Sequence, residues 1–128
     1  MMSLSLTALP QVLAVVRLPA DAAVPADILS ASFVSITRTE DELSIVCPAD
    51  MATGRVVAGE GWIALRLDGV FDFSEVGIMA AIATTLAEAR VSVLPIATHD
   101  TDYILVRESQ LEQAVGALEG AGHTINRR

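Results

Sequence analysis

The sequence predicts an α+β fold. A β-α-β-β-α-β module spans residues 61–128. A reduced module of the same kind precedes it over residues 1–60, and in both the sheets are antiparallel with the helices on one face. Three observations carry this. Short runs rich in Val, Leu and Ile recur along the chain, each closed by a proline, a glycine or a polar knot. Two segments in the second half have apolar residues at helical spacing, and they alternate with the runs. Parts of the two halves also echo each other.

Residues 11–18 (QVLAVVRL) read as a buried strand ended by Pro19. A loop follows to Pro25, then at most a turn or two of helix over 26–30 and a second strand over 32–37. The polar knot RTEDE at 38–42 is a tight connection. Residues 43–47 form a third strand, stopped by Pro48. Residues 49–60 carry Gly54 and Gly59 and read as a crossover loop with a short strand at 55–57.

In the second half, WIALRL at 62–67 is a strand closed by Asp68 and Gly69. A helix follows. Asp72 with Glu75 makes an acidic version of a capping box, and Ser74 is a rival cap. Ile78, Ile82 and Leu86, with Met79 beside them, give one apolar face of a helix reaching about Arg90. Strands are expected over 91–97 and 102–107, with a turn at 98–101. Ser109, Gln110, Leu111 and Glu112 form a second capping box. Leu111, Ala114, Val115 and Leu118 face the core, and Gly120 and Gly122 close the helix. Residues 123–126 are a final strand.

The echo between the halves is direct. LAVVRL resembles WIALRL 49 residues on (Leu18 to Leu67). Residues 35–46 lie without gaps on residues 95–106, an offset of 60 (Ser35 to Pro95). The offsets differ where the second half has its long helix, so the first half reads as a copy with that helix shortened.

Composition excludes several functions. The net charge of −8 and pI near 4.5 oppose a phosphate backbone and an anionic membrane surface, so neither nucleic acid nor membrane is expected as a partner. Aromatic residues make up only 4%, too few for a base-stacking platform. The one cysteine, Cys47, ends an apolar run and is read as a packed thiol in a reducing compartment. Residues 1–18 lack a basic flank and are interrupted by Gln11 and Arg17, so neither a signal peptide nor a membrane span is expected. The expectation is a soluble, cytoplasmic protein. No P-loop, GxGxxG, HExxH or GxSxG pattern is present, and no metal-ligand spacing. No catalytic residue, cofactor or metal is therefore expected.

The stretch from Trp62 to Ile125 resembles ACT domains, which have the ferredoxin-like βαββαβ fold. The carrying residues are DFSEVGI at 72–78, and Ser92 and Val93 through THDTDYILV at 98–106. ELSIVCP at 42–48 also resembles the tandem-ACT group that includes CASTOR-type arginine sensors and small bacterial proteins. The resemblance implies a regulatory, non-catalytic protein that binds a small molecule, an amino acid, between ACT modules. It also implies a homodimer formed through such modules. Carried over by position, Glu75, Val76 and Gly77 line the pocket with backbone groups. Thr98, His99 and Asp102 come from the turn between the middle strands. Ser92 and Val93 come from the facing module. The first half departs from a full-length module, so a complete site could need a second chain.

The chemistry of these residues fits both this and plainer roles. A helix N-terminus can hold a carboxylate, and Gly77 lets a ligand approach the backbone or lets helix and sheet pack closely. Asp102 can accept from an ammonium group or stabilise the turn, as Asp100 can. Glu75 supports the helix start or touches ligand. His99 is exposed on its turn or reaches the pocket. His123 reads as a strand start without a role, and Trp62 as an anchor. Two further readings stay open: an interaction module that has lost its ligand, and a minor enzyme.

Overall fold

The computed structural model describes residues 3–69 and 77–128. The chain divides into two units. One is Gln11–Trp62. The other joins Met1–Pro10 to Ile63–Arg128, so the first ten residues, grouped by sequence with the N-terminal module, count with the C-terminal half.

The strand expected to start at Gln11 begins earlier. β1 runs over Ser5–Leu18. Pro10 lies within this strand and does not end it.

In the unit Gln11–Trp62, β1 pairs antiparallel with β3 (Leu43–Pro48), from Leu13 opposite Pro48 to Leu18 opposite Leu43. β2 (Ser35–Arg38) covers the other edge of β3, and β4 (Val56–Val57) pairs with β1 at Val16 and Arg17. Alternation puts Ala14 and Val16 on one face, opposite Cys47 and Ile45. These residues, Leu43 and Ala52 form the core of the unit. α1 (Ala26–Leu29) adds Ile28 to it. Four residues cannot sustain a helix in water, so the burial of Ile28 holds this turn in place. Cys47 is the packed thiol expected, and its burial pushes its pKa up.

The other unit follows the expected order: β5 (Trp62–Leu67), α2 (Ile78–Glu88), β6 (Val93–Ala97), β7 (Asp102–Arg107), α3 (Leu111–Gly120) and β8 (Thr124–Arg127). The start of β1 enters this sheet as a fifth strand. It pairs with β5 and, in parallel, with β8, from Ser5 opposite Thr124 to Ala8 opposite Arg127. The order is β8-β1-β5-β7-β6. α2 buries Ile78, Ile82 and Leu86, the face its periodicity predicts, and α3 buries Ala114, Val115 and Leu118. The two helices pack against each other, and α3 packs on β7 and β8.

Asp72, Ser74 and Glu75 lie outside the described residues, and Gly77 is the N-cap of α2. At its C-terminus Arg90 adopts φ 61°, and Val91 N–H donates to the Leu86 carbonyl at 2.9 Å. Gln113 Nε2 donates to the Ala89 carbonyl at 2.5 Å and Gln110 Nε2 to that of Arg90 at 3.3 Å. The second capping box does not form. Residues 108–110 make a 3₁₀ turn, and Gln110 caps α3 without a side-chain bond. Glu112 instead holds Arg127 of β8 through two bonds of 2.8 and 2.9 Å. A bidentate charge-assisted pair is stronger than the single bond a capping box offers.

The internal echo appears in the geometry, one residue out of the register read from sequence. Thr39 N–H donates to the Glu42 carbonyl, and Thr98 N–H to the Thr101 carbonyl, both at 2.9 Å. Each turn is flanked by equivalent strand pairs, Arg38 with Leu43 and Ala97 with Asp102. A 3₁₀ turn follows directly on β3 as on β7. The offset is 59 (Thr39 to Thr98), because the length of the turn sets hairpin register more strictly than the likeness of two apolar runs.

Candidate functional site

The end of the second unit where β5 finishes gathers several predicted residues. β5 rises to Leu67, α2 starts after Gly77, and the 98–101 turn joins β6 to β7. Thr101 Oγ1 donates to the Leu67 carbonyl at 2.6 Å and ties the turn to β5. Within the turn, Thr98 Oγ1 donates to the Thr101 carbonyl at 2.8 Å. His99 is exposed, with Nδ1 2.9 Å from Asp100 Oδ1. Asp102 is half-buried, and among the described residues none holds its carboxylate.

Ser92 and Val93 lie at the other end of β6. Five residues at about 3.3 Å each put roughly 16 Å between them and the turn. Ser92 N–H donates to Gln110 Oε1 at 3.1 Å, so its backbone serves the junction with α3. Glu75 and Val76 lie outside the described residues.

Gly77 opens onto a groove of ≈ 470 Å³ lined also by Ala80, Ala81, Thr84, Thr85, Ala121 and His123. Of the predicted site residues that are described, Gly77 lines it. Its φ of 85° places it in the left-handed region, and nothing among the described residues lies within 4 Å of where a Cβ would stand. Small residues at Ala80, Ala81 and Thr84 keep the wall of α2 low. Thr85 Oγ1 donates to the Ala81 carbonyl at 3.0 Å, leaving its lone pairs as acceptors. The partial positive charge of a helix N-terminus favours an anionic group at this end.

His123, read from sequence as a residue without a role, is 6% exposed and lines the groove. Leu4 N–H donates to its Nδ1 at 3.0 Å. Nδ1 therefore carries a lone pair, and Nε2 carries the hydrogen. Only its position directly after Gly122 at a helix end hinted at a fixed place. The burial depends on the N-terminal strand 119 residues away.

A second groove, ≈ 360 Å³, lies in the unit Gln11–Trp62 against Thr53, Gly54, Arg55, Gly59 and Glu60. Arg55 donates to the Met51 carbonyl at 2.6 Å and lies 3.9 Å from Asp27.

The sequence-family comparison decides what this fold is. The ACT domain model matches residues 57–120. The chain belongs to the ACT domain family. A second family model, an N-terminal domain, matches residues 12–54. A crystal structure of an Agobacterium tumefaciens protein is 34% identical with a TM-score of 0.91, over 100% of this chain and 96% of that one. A Vibrio cholerae protein described as of unknown function and a "possible transport protein" is 26% identical, TM-score 0.73, over 94% of this chain and 91% of its own. Aspartate kinase of Clostridium acetobutylicum, an allosteric enzyme, is 15% identical with a TM-score of 0.66, over 91% of this chain and 34% of the kinase. That likeness is one of fold. No curated protein matches the sequence. ACT domains as a family are regulatory modules that bind small molecules. No helix among the described residues is long and apolar enough to cross a membrane.

Proposed function

We propose that this ACT protein is a non-catalytic, cytoplasmic regulator that binds an amino acid. The groove at the start of α2 is one wall of the site, and an ACT module of a second copy in a homodimer completes it. The first half is a reduced ACT-like module, as in the tandem-ACT group. The observation that carries the reading is the groove itself. Its α2 wall lies inside the segment matched by the family, and the groove combines a helix N-terminus and an open glycine with a buried imidazole and threonine hydroxyls. Donors at one end and hydroxyl acceptors beside them suit a carboxylate and an ammonium on one small molecule. In this reading Thr98, His99 and Asp102, in and beside the turn tied to the end of β5, supply polar groups from beyond the groove's own lining. The ligand's preference for one packing of the modules would shift the assembly.

The test is thermal unfolding of the protein with each of the twenty amino acids, using Gly77→Leu and Asp102→Ala as controls. At one hundred times its dissociation constant, a ligand adds about 2.7 kcal/mol of stability. A selective shift in the wild type that is lost in the folded variants supports the reading.

A second reading has its own observation. Leu29 is 58% exposed and Val56 68%, with Val57 and Ile36 also exposed in the unit Gln11–Trp62. Exposed apolar residues are the surface that a module working by protein contact alone would use. Absence of any stabilisation at millimolar amino acid favours this second reading.

A further inference from the structure

We infer that His123 is the residue that reads the ligand, and that the groove selects compounds bearing a carboxylate. This rests on the groove of the preceding section being a ligand site, but it assigns a new residue and a ligand chemistry. His123 is nine-tenths buried, and the one described hydrogen bond of its side chain uses Nδ1. No described residue accepts from Nε2, and Nε2 is not among the polar atoms sealed from solvent without a partner. The imidazole lines the groove, so its Nε2–H opens there. The facing wall begins at the N-cap of α2, an 11-residue helix whose N-terminus is the positive end of its dipole. A buried N–H donor and a helix N-terminus together fit an acceptor that carries negative charge, namely a carboxylate oxygen. Thr85 Oγ1, whose hydrogen is committed to Ala81, adds no competing donor.

The same ring ties occupancy of the groove to the N-terminal strand. Nδ1 is held by Leu4 N–H, Thr124 N–H donates to the Leu4 carbonyl at 2.8 Å, and Ser3 Oγ donates to the Gly122 carbonyl at 2.6 Å. A ligand on Nε2 fixes the ring that anchors the start of β1.

Two substitutions separate the ring's two roles. His123→Asn keeps an acceptor for Leu4 N–H but loses the donor at the Nε2 position. His123→Gln keeps a donor near that position. Both are titrated with the twenty amino acids, their carboxamides, and pyruvate, succinate and 2-oxoglutarate. The expected result is binding of a carboxylate compound that weakens about tenfold in His123→Asn, persists in His123→Gln, and is lost when the carboxylate becomes an amide. Equal binding by wild type and His123→Asn overturns the inference while the amino-acid reading stands. Binding of a non-amino carboxylate alone, lost in His123→Asn, keeps the inference and overturns the amino-acid reading. Absence of binding by every compound overturns both. Should His123→Asn not fold, imidazole ¹⁵N NMR of the wild type gives the answer. The chain has only two histidines, and exposed His99 serves as the internal control. A bound compound that moves the His123 Nε2 resonance supports the inference, and one that leaves it unmoved overturns it.

Discussion

Thr7 Oγ1 donates to the carboxylate of Asp68 at 2.9 Å, joining the start of the chain to the end of β5 across 61 residues. Ser5 Oγ donates to the same carboxylate at 3.1 Å, and Arg66 lies against it at 3.2 Å. Burial alone would raise the pKa of Asp68, but the hydrogen bonds from Thr7, Ser5 and Arg66 outweigh it and hold it below the usual range. A lowered pKa in the folded state means stability that is complete above the unfolded value of about 3.9 and is lost as pH falls through the folded one. Asp68→Asn should therefore cost about 1–2 kcal/mol at neutral pH. Urea unfolding across pH should show the gap between wild type and variant closing below about pH 4.

Ile28 is the single buried residue of α1. Ile28→Ala should destabilise the protein by about 2–4 kcal/mol, since the turn has no other hold on the core of its unit. Denaturant unfolding measures this. A cost below about 1 kcal/mol would show that α1 is held by something else.

Thr39 and Thr98 hold equivalent turns. Thr39 Oγ1 accepts from the N–H groups of Asp41 and Glu42 at 3.2 Å each, and Thr98 Oγ1 accepts from that of Thr101 at 3.3 Å. Thr39→Ala and Thr98→Ala should each cost about 1 kcal/mol. Unequal losses, measured by the same denaturant titration, would mean that the likeness of the two hairpins does not extend to their energetics.

Gly77 needs its left-handed backbone, and a Cβ there meets no atom of the described residues. Gly77→Ala should cost about 1–2 kcal/mol through backbone strain alone. Gly77→Leu should cost a similar amount and also block the groove, so calorimetric titration should find ligand binding retained in the first variant and lost in the second.

Cys47 is fully buried, and burial holds its thiol protonated. In native buffer it should react with a thiol reagent at least 10²-fold more slowly than in denaturant, with a rate set by unfolding. Rapid modification of the folded protein would contradict the packing around it.

Much of the fold was legible because it is written in short-range pattern. The spacing of Ile78, Ile82 and Leu86 fixes which face of α2 is buried wherever the helix docks. β5 and β7 begin and end where the alternation and the turn residues predict. The reach of β1 back to Ser5 was not legible, because Pro10 reads locally as a break. The capping box at Ser109 had the right residues, but Glu112 found Arg127, 15 positions away, and no local rule weighs that competitor. At the candidate site, Gly77 was legible through its motif and glycine chemistry, whereas His123 was not.

By itself, the sequence determined the α+β class, the order of strands and helices, and the membership of the second half in its family. These follow from periodicities and turn residues that act over a few positions. Only the tertiary structure decided that the first ten residues complete the second unit and that β8 runs parallel to β1. It also decided that His123 takes a hydrogen bond from Leu4 and lines a groove. Those arrangements depend on hydrogen bonds between residues 61 and 119 positions apart. Such contacts leave no trace in a local pattern, because either partner alone looks like an ordinary surface residue until the chain folds and buries it.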